Sequence, residues 1–298
     1  MNVFIEILNP NFLLWNSVAI SALVGLVCPL VGVYLVLRRV VFLGVALPQV
    51  SSCGIAFAFA LQGWGWIRHA HDSAEERVLA LSGSIVFTLV AILILSALER
   101  RGRGLIEGRT GTAYVVAGAC SILLLVQNPL GQHGMLELLR GEIVAVSATD
   151  LWIATVVFAL VVASLLLFGK EFLLVSFDRE MAVTLRKNVL WWDTYLFALI
   201  GLTISVAVMS VGPMVTFGFV RLPPLLVYPF ARTMGQLAWL SSLVGGSMAI
   251  VGFAVADRQS LPVGPTDVGL LGALYGFSWT VQRLVGWVVT KRQNATTG

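Results

Sequence analysis

Long apolar runs, separated by short charged or turn-rich stretches, fill most of this chain and constrain its fold more than any motif does. A helix that crosses a bilayer needs about 20 mostly apolar residues. Hydrophobic residues make up 58% of the sequence and charged residues only 11%, which lies outside the range of soluble globular proteins. The runs cover residues 12–37, 42–63, 78–98, 112–127, 151–168, 194–211, 213–230, 237–256 and 268–289. The sequence therefore predicts an all-α integral membrane protein, a single domain over residues 1–298 with about nine transmembrane helices.

The apolar stretch 194–230 is too long for one spanning helix at about 1.5 Å per residue, so it must break once. Gly212-Pro213 is the expected break, because proline removes a backbone donor and clashes with the preceding turn. Arg221 follows within the same stretch. An ionisable residue at such depth marks either a functional site on a cavity or a side chain that snorkels to the interface, and the sequence leaves both open.

Basic residues alternate between the ends of the predicted spans. Arg38-Arg39, residues 99–109, residues 170–187, Arg232 and Lys291-Arg292 are predicted to face the cytoplasm, where Lys and Arg accumulate. Residues 69–77, 128–150 and 257–267 carry no basic excess and are predicted to face outward. This places the N-terminus outside and the C-terminus in the cytoplasm. The net charge of +4 then reflects orientation in the lipid bilayer, and no nucleic-acid partner is expected.

Polar residues on the second predicted span are candidates for a translocation path. Gln49, Ser52 and Cys53 are spaced three and four residues apart, so they share one helix face. An amide oxygen and a thiol there could contact a solute. The alternative is that these side chains form hydrogen bonds between helices.

Two imidazoles, His69 and His71, stand close together in the first outward loop and could coordinate a metal. The alternative is an ordinary solvated loop. The spans contain neither paired carboxylates nor a Ser/His/Asp constellation, and the chain lacks the glycine and lysine spacing of a P-loop. We therefore expect no enzymatic activity and no cofactor, and any ATP hydrolysis must come from another polypeptide.

Residues 170–190 predict a short amphipathic helix between two spans. Asp178 can cap its N-terminus, Glu180 lies in its first turn, and Met181 and Ala182 lie on a narrow apolar face. Such a helix at the cytoplasmic side suits either contact with a soluble partner or a position on the lipid surface.

Five stretches together resemble the permease subunits of the ABC-3 family, the bacterial uptake systems for zinc, manganese and iron. Ser-Phe-Asp-Arg-Glu-Met-Ala at 176–182 is similar to that family's Phe-Asp-x-Glu-x-Ala coupling segment and is the most specific of the five. The other four are residues 35–47, 139–151, 211–223 and the Leu-Pro-Val-Gly-Pro motif at 261–265.

The resemblance implies a permease that works with three protein partners. Phe177, Asp178, Glu180, Met181 and Ala182 would form the coupling segment that docks on a cytoplasmic ABC ATPase. A second copy of the chain would complete the path, and an extracytoplasmic solute-binding protein would deliver the metal. The expected location is the inner, cytoplasmic membrane.

The chain departs from the family where the cargo would pass. Val45 and Gln49 replace an aspartate and a histidine, and Cys53 replaces a proline. Loss of a carboxylate and an imidazole favours a softer or already chelated metal, and Arg221 on the path would favour an anionic complex. The alternative function is an ATP-independent secondary transporter or channel, and an intramembrane enzyme is a third possibility that the polar inventory disfavours.

Overall fold

The computed structural model describes residues 14–38, 40, 42–64, 73–100, 106–126 and 146–296, and these residues form eleven helices without a strand. The helices are α1 Trp15–Leu37, α2 Leu43–Gly63, α3 Ser73–Arg100, α4 Ile106–Val126, α5 Ala148–Leu167, α6 Gly169–Phe177, α7 Arg179–Thr184, α8 Val189–Val211, α9 Pro213–Val227, α10 Met234–Gln259 and α11 Val263–Thr296. The predicted all-α class is confirmed.

Seven helices within the described part of the chain are long and apolar enough to cross a membrane: α1, α2, α3, α4, α5, α8 and α10. Helix α9 has 15 residues, or about 22 Å, which is shorter than the hydrocarbon core. Helix α11 contains the predicted last run within its 34 residues. The predicted runs thus map onto nine helices, and seven of these are long and apolar enough to cross a membrane.

Helices α1, α2 and α8 form the interior of the bundle, whereas α3, α4 and α5 turn long apolar faces outward. Exposed valines and leucines along these three helices suit contact with lipid. The interior is packed from large side chains such as Phe158, Phe219 and Phe253, each 1% exposed or less.

Close helix crossings in the bundle depend on glycine. Helices α1 and α10 cross at Gly25 and Gly245, where a Cβ on Gly25 would lie 2.7 Å from the Gly245 carbonyl oxygen. Helices α2 and α3 cross in the same way at Gly54 and Gly83. Small residues let membrane helices approach closely, and the contact energy comes from packing rather than from water exclusion.

The predicted break between α8 and α9 is confirmed at Gly212. This residue has a φ of 85° and a ψ of 165°, a conformation that glycine adopts readily and that residues with a Cβ rarely adopt. Pro213 then begins α9, where its missing N–H costs nothing. The two helices are therefore separated by this one residue.

Two aspartates that lie just before predicted spans are found inside helices in the structure. Asp193 lies one turn inside α8, and Asp267 lies one turn inside α11. Both are buried. The predicted outward loop at 257–267 is accordingly shortened, because α10 continues to Gln259 and α11 begins at Val263.

Candidate functional site

Two of the predicted path residues, Gln49 and Cys53, point from α2 toward α4. The Gln49 side-chain nitrogen donates to the Ser121 hydroxyl at 3.5 Å, and it also approaches Gly118. Cys53 is buried in an apolar cluster with Val50 and Ala117. Helix α4 therefore completes this face of α2, which the sequence alone did not indicate.

A second thiol joins the same cluster. Cys120 of α4 packs against the group that contains Cys53, and neither cysteine forms a disulfide. An amide, two thiols and the Ser121 hydroxyl thus gather between α2 and α4. Within the described residues there is no cluster of three or more His, Cys, Asp or Glu side chains that could hold a metal ion.

The opposite side of α2 carries a network of buried hydroxyl groups. Ser51 and Ser84 lie 2.6 Å apart, and the Ser205 hydroxyl donates to Thr88 at 3.1 Å. The Thr88 hydroxyl donates to the Ser84 carbonyl at 2.7 Å, which joins the two pairs. These hydrogen bonds link α2, α3 and α8 and resemble the interhelical bonds expected in membrane bundles. Ser52, the third predicted path residue on α2, is also buried, at 2% exposure.

Arg221 lies on α9, apart from the Gln49 cluster. It is partly buried, and Tyr275 of α11 lies within electrostatic range of its guanidinium. One turn before it, Gly218 packs against Val268, so α9 and α11 meet along this face. The break at Gly212 therefore precedes a short helix that carries a charge into the bundle.

The predicted coupling segment folds as two short helices, α6 and α7, rather than as one. Asp178 caps α7, because its carboxylate accepts from the Met181 backbone N–H at 2.8 Å. Phe177 and Met181 are more than half exposed, and Glu180 is exposed as well. Ala182 is fully buried and holds α7 to the bundle.

An ion pair that the sequence did not predict lies beside this segment. Arg38 Nη2 lies 2.8 Å from Asp193 Oδ1, and the two side chains are only 8% and 7% exposed. Arg38 Nε also donates to the Ser176 hydroxyl at 2.9 Å. A carboxylate inside the apolar run of α8 was the signal for this pair, but the predicted span began just after it, at residue 194.

The opposite end of the bundle holds a different ion pair, between Arg77 of α3 and Asp150 of α5. Asp150 also accepts from the Ser147 backbone N–H, which completes a capping box at the start of α5. Arg77 and Asp150, which belong to two of the predicted outward stretches, therefore pair at this end.

Asp267 is a second buried carboxylate, after Asp193. Its Oδ2 lies 3.5 Å from the Ser21 hydroxyl, and its Oδ1 has no hydrogen-bond partner in the described part of the chain. Gly252 of α10 leaves the space that this carboxylate fills. The predicted histidines His69 and His71 lie outside the described residues.

This architecture defines a multi-pass membrane protein with a bundle of spanning helices, one broken helix pair and a partly exposed pair of short helices at one end. The model of the ABC 3 transport family matches residues 11–282. The chain therefore belongs to the ABC 3 transport family.

Relatives match along nearly the whole chain. It is 24% identical over 266 residues to the manganese import system permease protein ScaB of Streptococcus gordonii, covering 89% of this chain and 90% of that protein. It is also 24% identical to the manganese transport system membrane protein MntD of Bacillus subtilis, covering 92% and 94%. The solved structure titled PsaBC from Streptococcus pneumoniae in complex with Fab has a similar fold, with a TM-score of 0.78, 24% identity and coverage of 93% and 94%.

Proposed function

We propose that this chain is the membrane permease of a metal-ion ABC importer and that a separate cytoplasmic ATPase drives it. The observation that carries the proposal is the family match over residues 11–282, together with relatives that match along nearly their full lengths and are named as a manganese import permease and a manganese transport membrane protein. In this proposal the chain carries cargo and performs no catalysis.

The exposed surface of α6 and α7 supports contact with an ATPase. Phe177 and Met181 are 55% and 52% exposed, and Val183 is 64% exposed beside them. Asp178 fixes the start of α7, so the apolar side chains are held on an ordered element rather than on a loose loop. An ordered helix with exposed apolar side chains suits insertion into a groove on a partner. We assign Phe177, Asp178, Glu180, Met181 and Ala182 to this contact.

We assign Gln49, Ser52, Cys53 and Arg221 to the cargo path. The names of the relatives favour manganese, and zinc, iron or a metal chelate remain within the same class of cargo. The donors on α2 are an amide oxygen and a thiol: the thiol suits a softer metal than a carboxylate would, whereas the amide oxygen suits a hard ion such as manganese. The charge of Arg221 suits an anionic metal complex.

The proposal includes two further partners and an orientation. A second copy of the chain completes the path, and an extracytoplasmic binding protein delivers the metal. The N-terminus lies outside the cytoplasmic membrane and the C-terminus inside. Arg77 and Asp150 pair at the end assigned to the outside, whereas Arg38 and α7 lie at the end assigned to the cytoplasm.

Reconstitution in vesicles tests the proposal. The chain and its ATPase are incorporated together, and uptake of manganese, zinc and iron is measured with and without ATP. We expect ATP-dependent uptake. We expect Asp178→Lys to lower it about tenfold, because the change removes the cap and reverses a charge at the contact. Asp178→Asn is the matched control, since asparagine caps helices equally well and should leave most uptake intact.

Two results together would refute the proposal. One is the failure of the purified chain to form a complex with the ATPase. The other is unchanged uptake in the Asp178→Lys variant.

The second candidate is an ATP-independent transporter or channel, which the partly buried Arg221 on the broken α8–α9 pair favours. Vesicles that contain the chain alone distinguish the two functions. Movement of metal without ATP would support this candidate, and its absence would dismiss it.

A further inference from the structure

A buried ion pair by itself adds little to the stability of a fold. Removing two charges from water costs several kcal/mol per ion, and well-packed apolar residues often replace such a pair without loss. Arg38 and Asp193 are nevertheless both more than nine-tenths buried and lie 2.8 Å apart. Buried pairs are best attested where they fix the register of two elements or form part of a switch.

Arg38 connects the end of α1 with two other helices, α6 and α8. It is the C-cap residue of α1 and lies five residues before the start of α2 at Leu43. Its Nη2 contacts Asp193 of α8, and its Nε donates to Ser176 of α6. Its guanidinium carbon lies 5.1 Å from the centre of the Phe197 ring on α8. One side chain therefore fixes the ends of α1, α6 and α8 relative to one another.

The contact with Ser176 leads directly to the coupling segment. Ser176 stands two residues before Asp178, the cap of α7, and its own hydroxyl donates to the Phe172 carbonyl. Arg38, Ser176 and Phe172 thus form a continuous chain of hydrogen bonds into α6. Hydrogen bonds in such a chain polarise one another, which strengthens the connection.

Helix α6 is attached to the bundle through aromatic rings. Phe172 is fully buried. The centre of its ring lies 5.7 Å from the ring centres of both Trp192 and Tyr195 of α8, and 6.2 Å from that of Tyr34 of α1. Helix α7 has less support, because its apolar side chains are mostly exposed apart from Ala182. A force applied to α7 therefore reaches the bundle by two routes: through the buried Ala182, and through α6, where Ser176 accepts the hydrogen bond from Arg38.

We propose that Arg38 is a positioning residue for energy coupling: it transmits displacement of α6 and α7 to the end of α1 and hence to the start of α2. This inference rests on the proposed function, since it assigns a route between the ATPase contact and the helix that carries Gln49 and Cys53. Arg38 touches neither cargo nor nucleotide in this scheme.

Arg38→Lys separates the two contacts of the arginine. Lysine retains a positive charge that can pair with Asp193, but it lacks the planar fork that reaches Asp193 and Ser176 together. In vesicles containing the chain and its ATPase, we measure metal uptake and ATP hydrolysis on the same sample. We expect metal transported per ATP to fall about tenfold, while complex formation, thermal stability and ATP hydrolysis stay near wild type.

Two variants accompany this experiment. Ser176→Ala removes the hydroxyl that receives the Arg38 Nε bond and should lower the same ratio, with less effect in the Arg38→Lys background than alone. Arg77→Lys changes the partly exposed ion pair at the opposite end and should leave the ratio unchanged.

The outcomes distinguish this inference from the proposed function. If the wild type takes up metal and Arg38→Lys transports the same amount of metal per ATP, the inference is wrong and the proposed function stands. The inference also fails if Arg38→Lys lowers uptake and ATP hydrolysis by the same factor as it lowers the amount of folded complex, because that result indicates a structural role. A wild type that takes up no metal beside an active ATPase overturns the proposed function, and the inference with it.

Discussion

The two sides of α2 differ in how completely their polar and small residues are used. Toward α3 and α8, Gly54 lies against Gly83 and Ser51 against Ser84, so the surfaces interlock and the hydroxyls are paired. Toward α4, Gln49 has a 3.5 Å hydrogen bond and stays partly exposed. The first side fixes the position of α2. On the second side, the Gln49 amide keeps hydrogen-bonding capacity beyond its one long bond. The side chains proposed for the cargo path and the side chains used for packing thus occupy different sides of one helix.

Filling the α2–α3 crossing should have the largest effect on stability. In Gly54→Ala the new Cβ would overlap the Gly83 carbonyl oxygen, so the two helices must separate. We expect the free energy of unfolding to fall by about 1–3 kcal/mol, measured by denaturation in detergent. Gly111→Ala on α4 is the control, because no atom of the described residues lies within 4 Å of its Cβ position and alanine favours the helix. Equal stability of the two variants would contradict the packing role of this side.

Removing a hydroxyl on the same side should have an intermediate effect. Ser84→Ala leaves Ser51 without its 2.6 Å partner in a buried position. We expect a loss of about 1 kcal/mol, near the values found for hydrogen bonds between membrane helices. The Ser51→Ala and Ser84→Ala double variant should cost less than the sum of the single variants. Strict additivity would show that the two hydroxyls do not interact.

Truncation on the α4 side should change stability least and transport most. Gln49→Ala and Cys53→Ala should each shift the free energy of unfolding by less than about 1 kcal/mol, because the Gln49 bond is long and alanine nearly fills the space of a cysteine. We expect metal uptake in vesicles to fall about tenfold in each variant. Cys28→Ala is the matched control, since this thiol is fully buried on α1, away from α4. Unchanged uptake in both variants would remove these residues from the path.

Much of the fold follows from the sequence because length and polarity decide where a membrane helix can run. The break at Gly212-Pro213 and the cap at Asp178 were both predicted, since each depends on local backbone chemistry. The predicted span begins after Asp193, because a charged residue interrupts an apolar run. A carboxylate can lie inside a span when an arginine from another helix reaches it, and sequence alone does not show which helices meet.

The candidate site was predictable only in part for the same reason. The spacing of Gln49 and Cys53 gave their common face, but the partner on that face, α4 with Cys120 and Ser121, comes from the packing of distant segments. The same holds for the contact of Arg38 with Ser176, which are 138 positions apart. The role of Gln49 and Cys53 in carrying metal stays a prediction.

The fit between Gly252 and Asp267 has a consequence for how this protein can diverge. Any side chain at position 252 would overlap the carboxylate, which is fully buried and cannot move into solvent. Alanine fits at position 252 only after Asp267 has been replaced by a smaller residue. That replacement in turn leaves a void until Gly252 is replaced by a larger residue. The order of the two changes is therefore constrained, and the pair should be inherited together.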